Sequence, residues 1–417
     1  MTSPPPGSSA ASDLGIARAA VTGYAEEFNT RYLGAHGVAS ALGLWLLLAV
    51  VASTSRGEDR RQLQQVLGLS VDDAAVLAQQ LLADPHPAVS SAVALWADAG
   101  RLLPDFGAWA ERLPSSVETG PVPTQAEADA WARRRTGGMI ERFPVTLDPA
   151  SLLVLASALA TDVTWPEPMK TASAKLMGGL FANRVTSCLV APERSDQQLF
   201  DTDAAGRVAA CEMSSESGLR VLSVIAEESL PPAQVHVAAL QVAASRAGSK
   251  DGTDPAVPVD LFDVDLGEGH AWTLTESTAS RRTSQERLAE FVTYLPAWSA
   301  STTHDLTSAP GVSPASKTLG EFAHALDRPV AFEARQSAVA EFTRVGFKAA
   351  AVTVIAMRAT GVPSDPRRVR LRRAEVKFGR PYAVVATAAG HGAWDGLPVF
   401  SAWVERPAEA SERASGR

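Results

Sequence analysis

The sequence predicts an α+β protein built as one large unit, with helices packed on a mixed β-sheet. Three observations carry that expectation. The first 160 residues read as mainly helical, whereas after Trp165 the texture changes to short β-prone runs bounded by Gly, Ser, Pro and Asp. No linker-like stretch or internal repeat divides the 417 residues, and a hydrophobic content of 46% is enough to bury a sizeable core.

Taken in order, the elements follow from local chemistry. Residues 1–14, rich in Pro, Ser and Gly, read as a disordered leader, with a domain over 15–408 and a flexible tail over 409–417. Val38 to Val51 is apolar on every side but interrupted by Ser40 and Gly43 and too short to span a bilayer, so it reads as a buried core helix. Gly57 to Leu67 and Gln125 to Arg142 return apolar residues at helical spacing, and Asp148-Pro149 is a start signal before Leu152. Leu219 to Ile225 and Val235 to Leu240 read as strands, and Gly248 to Pro255 as a surface turn.

Several function classes fall away. A net charge of -8 argues for solubility and against specific nucleic-acid binding. The N-terminus lacks the basic start and apolar core of a secretory signal, so the chain as written reads as cytoplasmic, with no membrane partner. Two cysteines, Cys188 and Cys211, make no disulfide framework; they are read as two free or buried thiols, with a single bridge as the alternative. The seven histidines show no ligand spacing, and no nucleophile elbow, phosphate-binding loop or dinucleotide fingerprint is present. The chain is therefore read as neither an enzyme nor a holder of metal or cofactor.

The most informative stretch is Gly346 to Met357, a small-residue, β-prone peptide without a helical stripe. In an extended strand Phe347, Ala349, Ala351, Thr353, Ile355 and Met357 share one face, apolar apart from the threonine. Lys348, Ala350, Val352 and Val354 form the other. Such a segment could add itself to an open sheet. Downstream come Gly361, Pro363, Pro366 and the basic run Arg367 to Arg373, the layout of an exposed bait loop. A trypsin-like protease would choose Arg358 or one of Arg367 to Arg373.

Four stations in order resemble the serpin family of suicide protease inhibitors. They are Val38 to Val51 with Ser55 to Asp59 and Gln62 to Leu67; Ala128-Asp-Ala-Trp-Ala-Arg-Arg-Arg-Thr-Gly-Gly-Met-Ile140; Leu152 to Leu159 with Trp165-Pro-Glu-Pro168; and the loop with Phe378-Gly-Arg-Pro-Tyr382 and Leu397 to Val404. The resemblance implies a divergent member with the serpin fold, helices on a large mixed sheet plus smaller sheets, and an exposed reactive-centre loop over 344–366. It implies a serine or cysteine protease as partner, a monomer, and inhibition by loop cleavage, strand insertion and trapping of the acyl-enzyme. Counting from Gly346 puts the reactive bond at Thr360-Gly361, two residues beyond Arg358, while counting back from Phe378 to Tyr382 gives a different register. The hinge maps to Arg344, Gly346, Phe347, Lys348, Ala349, Ala350 and Ala351, and the sheet-opening region to Ser157, Trp165 and Gln336.

The hinge also departs from the inhibitory pattern, with Arg344 in an acidic position and Phe347 in a threonine or serine position. Ser157 stands for the usual asparagine and Gln336 for the usual histidine. The alternative is a non-inhibitory binding or structural protein on the same fold. The ring of Phe347 is the bottleneck of insertion if its space suits a smaller residue, and a cavity shaped around it would reverse the sign; Phe347→Thr separates the cases, raising the yield of covalent adduct if insertion is slow but present. Arg367, Arg368, Arg370, Arg372 and Arg373 read as a solvated edge strand with Val369 and Leu371 facing in, or as a surface for a polyanion or an acidic protease.

Overall fold

A computed structural model describes residues 7–148, 151–248, 254–281, 283–323, 333–347 and 367–410. The helices are α1 (Gly7–Tyr32), α2 (Ala41–Ala52), α3 (Gly57–Leu67), α4 (Val71–Ala83), α5 (Pro104–Ala110), α6 (Gln125–Arg135), α7 (Pro232–Arg246) and α8 (Val312–Gly320). α2 is buried almost all round, the signature of a helix enclosed by a core. Its start is fixed by Ser40, whose hydroxyl accepts the Gly43 N–H at 3.2 Å. α6 opens on a capping box: Thr124 N–H donates to the Glu127 carboxylate at 2.8 Å, and Glu127 N–H donates to the Thr124 hydroxyl. It stops at Arg135 rather than at Arg142, because Gly137 and Gly138 turn the chain at φ values of 57° and 83°.

The stretch Val235 to Leu240, expected as a strand, is the middle of α7. Proline at the first helical position and five alanines among its 15 residues favour the helix over its three valines. α1 begins at Gly7, inside the stretch expected as leader. At the other end Glu409, expected in the tail, accepts bonds from the backbone of Thr186 and Ser187 and from both their hydroxyls, with distances of 2.7 to 3.1 Å. Cys188 and Cys211 are free, buried thiols. Burial pushes Cys211 up to about 12.

A seven-stranded sheet has the order β1 (Gly37–Ala39), β20 (Pro398–Val404), β19 (Tyr382–Ala388), β10 (Leu219–Ile225), β9 (Gly206–Ser214), β8 (Asp196–Thr202), β11 (Ala256–Val259). A six-stranded sheet runs β12 (Gly267–Glu268), β13 (Trp272–Arg281), β18 (Arg367–Lys377), β14 (Arg287–Leu295), β7 (Ser187–Val190), β6 (Lys170–Ser173). The remaining strands make two smaller sheets. One is β3 (Val117–Gly120), β2 (Ser90–Ala97), β4 (Leu153–Ala160); the other is β15 (Trp298–Asp305), β16 (Arg335–Phe342), β17 (Gly346–Phe347), β5 (Val163–Thr164). Leu159 and Val163 face the main core with Ala338, Ala340 and Phe342. Ala156 and Ala158 point the other way, into a separate cluster with Trp96, Trp131 of α6 and Phe143.

His236 on α7 is fully buried, touches the Leu33 carbonyl through Nε2 at 3.2 Å and lies against Trp403. Burial lowers its pKa from the ordinary 6.5 to about 4. The folded value lies below the unfolded one, so between these pH values the unfolded chain binds the extra proton and stability rises with pH. Thermal melts should therefore show stability falling as pH drops from about 6.5 towards about 4. In His236→Gln that slope should flatten; an unchanged slope would assign it to other groups.

Candidate functional site: a seeded gap between two strands

Among the described residues no ladder joins β4 to β16. They are linked only at one end, where the two-residue β17 sits antiparallel to both β5 and β16. Gly346 stands opposite Thr164, and Phe347 stands opposite Val163 on one side and Phe342 on the other. The two residues thus form one rung at that end of the gap, between β5 and β16.

Local chemistry holds this rung in place. A Cβ on Gly346 would lie 2.2 Å from the Val163 carbonyl oxygen, so glycine is required by close approach of the backbones. The turn into it is tied by Thr343, whose N–H donates to the Gly346 carbonyl at 2.9 Å while its hydroxyl accepts from the N–H groups of Val345 and Gly346. Trp165 fastens the same turn from the neighbouring strand: its backbone N–H donates to Val345 at 2.9 Å and its indole N–H to Thr343 at 3.2 Å. Met169 N–H takes the Arg344 carbonyl.

Phe347 is 3% exposed. Its ring meets Trp298 edge-on at 6.2 Å, Trp298 stacks on Phe342, and Phe342 touches Trp165. The volume expected to be missing for this ring is already present and filled. Of the two cases for Phe347, the ring's burial beside Trp298 matches the one with a cavity shaped around it.

Farther down, Ser157 and Gln336 meet over α2. A Cβ on Gly43 would lie 3.2 Å from the Ser157 hydroxyl and 3.5 Å from the Gln336 amide nitrogen. The Gln336 amide uses both of its functions on Ser40, accepting its N–H at 2.9 Å and donating to its carbonyl at 2.8 Å. Ser40 in turn donates its hydroxyl to Val399 at 2.7 Å. One side chain thus clasps β16 to the start of α2 and, through Ser40, to β20.

Sequence reasoning placed Ser157, Trp165, Gln336 and the hinge residues at this gap; it missed Ser40, Gly43, Trp298 and Thr343. Gly43 carried the one available signal, a glycine within an otherwise bulky apolar helix. Lys348, Ala349, Ala350, Ala351, Arg358, Thr360 and Gly361 lie outside the described residues.

The basic run is not an edge. β18 is an interior strand with β13 on one side and β14 on the other; Val369 and Leu371 are buried as expected. Arg370 and Arg372 share Glu276 at 2.9 and 2.8 Å, and Arg373 bonds Glu290 at 2.8 Å. Their hydrogen bonds hold both carboxyls below the usual carboxylate range. Arg372 also donates to the Val264 carbonyl and, with Arg370 and Arg287, lies over the Phe262 ring. Three of the five guanidiniums named for a polyanion are thus already matched by carboxylates; Arg368 is exposed, and Arg367 opens the strand opposite Arg281.

Helices over large sheets, with a partly filled gap that a chain segment enters from one end, define a serpin-like architecture. Residues 31–177 match the family model described as Serpin (serine protease inhibitor). No curated protein sequence matches the chain. Similar solved structures include human thyroxine-binding globulin complexed with thyroxine, at TM-score 0.60 and 12% identity, covering 95% of this chain and 98% of that one. Native protease nexin-1 with heparin gives 0.59 and 14%, covering 95% and 99%, and Arabidopsis AtSerpin1 in the native stressed conformation gives 0.60 and 15%, covering 95% and 98%. The chain has the serpin fold, and its residues 31–177 are similar to the serpin family.

Proposed function

We propose that this protein is a serpin-type suicide inhibitor of serine or cysteine proteases, acting by loop cleavage, strand insertion and trapping of the acyl-enzyme. The observation that carries the reading is the rung Gly346–Phe347, seated between β5 and β16 in the register an inserting strand would continue. Extended downward, that register brings Thr353, six residues beyond Phe347, opposite Gln336, six before Phe342, and opposite Ser157, six before Val163. The single polar residue on the inward face of the segment then meets Ser157 and Gln336, while Ala349 and Ala351 pass the closely packed upper part.

The reading is tested by exposing the protein to a panel of serine and cysteine proteases. A covalent adduct that survives a denaturing gel, and a cleaved form with a raised melting temperature, are the expected results. Cleavage without either outcome would leave the second reading, a non-inhibitory binding protein. That reading is favoured by how firmly Thr343 and Trp165 tie the hinge. The register is tested by Thr353→Val: it should leave the intact protein unchanged and cost the cleaved form about 1 kcal/mol through loss of the hydroxyl's hydrogen bond. An equal effect on both forms would break the register.

A further inference from the structure

We propose that the cavity between α5 and the C-terminal ends of β2 and β3 binds a small organic cation with an apolar body. The cavity shares no residue with the rung or with the Ser157–Gln336 contact, so the proposal does not depend on the inhibitor reading. It measures about 1150 Å³, comparable with the largest small-molecule sites, which span about 300 to 1,000 Å³. β2 and β3 run in parallel and end side by side, Leu95 beside Thr119 and Trp96 beside Gly120. From there the chain leads on to α5 after β2 and to α6 after β3, and the space between these two connections stays open. Its floor is apolar, with Leu95, Ala97 and Leu102 each buried.

One wall is a face of α5. Leu103, Gly107, Ala110 and Glu111 recur at helical spacing and all line the cavity, whereas Trp109 turns away to stack on Phe322. Leu103 is 37% exposed, a large apolar side chain left with one side uncovered. Gly107 sits in the middle of the helix, where glycine is a poor helix former. A Cβ there would meet no atom within 4 Å, so no contact among the described residues calls for glycine. The effect of the missing side chain is to leave the cavity open against bare backbone.

Charge selects the ligand. Among the described residues that line the cavity, every charged side chain is a carboxylate: Asp98, Glu111 and Asp148. Asp98 has Arg101 at 3.7 Å, Asp148 takes the Ser151 hydroxyl at 3.4 Å, and Glu111 is exposed at the end of α5. The N-terminus of α6 on the far wall would favour an anion, but the Glu127 carboxylate already occupies that place, accepting the Thr124 N–H at 2.8 Å and its hydroxyl at 2.9 Å. A protonated amine can approach the carboxylates while its apolar body covers Leu103 and the floor; an anion would meet like charge.

The test titrates the full chain with naphthylmethylamine, a cation at neutral pH, and with naphthylmethanol and naphthoate, which carry the same rings neutral and anionic. Wild type should bind the cation at least about tenfold tighter than the anion. Glu111→Gln should weaken the cation about threefold and leave the alcohol unchanged. Gly107→Trp fills the space with an indole and should lose binding of all three probes. It should melt no lower than wild type, because the side chain enters open space and a glycine leaves a helix. Leu103→Ala, at an exposed position, should weaken all three probes alike, and it decides the matter should Gly107→Trp fail to fold. Equal affinity for the three probes, no binding at all, or unaltered binding by folded Gly107→Trp would overturn the site. So would a dimer that Gly107→Trp turns into a monomer, because a second copy of the chain would then be the occupant.

Discussion

Phe347→Thr is expected to destabilise the intact protein by about 3 kcal/mol and to lower, not raise, the fraction of protease captured as covalent adduct. The first effect follows from burial: the ring is 3% exposed, packs edge-on against Trp298, and leaves a void that a threonine cannot fill. The second follows from where the ring sits before any cleavage. Because Phe347 already holds the first rung opposite Val163 and Phe342, removing it leaves the segment to find its register after the bond is cut. On the inhibitor reading proposed above, slower insertion would give water longer to release the acyl-enzyme. Parallel measurements of denaturant midpoint and adduct yield check both parts, and a variant that traps more protease than wild type would restore the view of Phe347 as an obstacle.

Gly346→Ala should have a comparable effect on the rung by a different route. The added Cβ would lie 2.2 Å from the Val163 oxygen and 3.1 Å from the Thr164 Cα, both backbone atoms that cannot rotate aside. The chain must therefore move, and the strand pair Gly346–Thr164 is the contact that gives way. Overpacking of this kind costs about 1 to 3 kcal/mol. The expected readouts are a lower melting temperature of the intact form and faster proteolysis just after residue 347. Should Gly346→Ala keep both at wild-type values, the close approach of β17 to β5 is not what seats the segment.

The fold class and much of the gap were legible in the residues themselves. Buried α2, the polar-apolar alternation of α3 and the strand Leu219–Ile225 each follow from periodicity within one element. The alternation that gives Gly346 to Met357 an apolar face with one threonine is equally local. Valines spaced as in Val235 to Leu240 suit either strand or helix, and the length and proline start of α7 decide for the helix.

What the sequence by itself determined is therefore the set of faces: which side chains an element turns inward, and that a small-residue peptide precedes a Gly-, Pro- and Arg-rich stretch. Tertiary structure alone decided which faces meet. Gln336 clasps a serine 296 positions earlier, Phe347 finds its volume beside Trp298, and the arginines of β18 are neutralised from strands that flank it on both sides. Periodicity is imposed by the backbone geometry of a few neighbouring residues, whereas partnership across a gap depends on loop closure and packing between segments far apart in the chain.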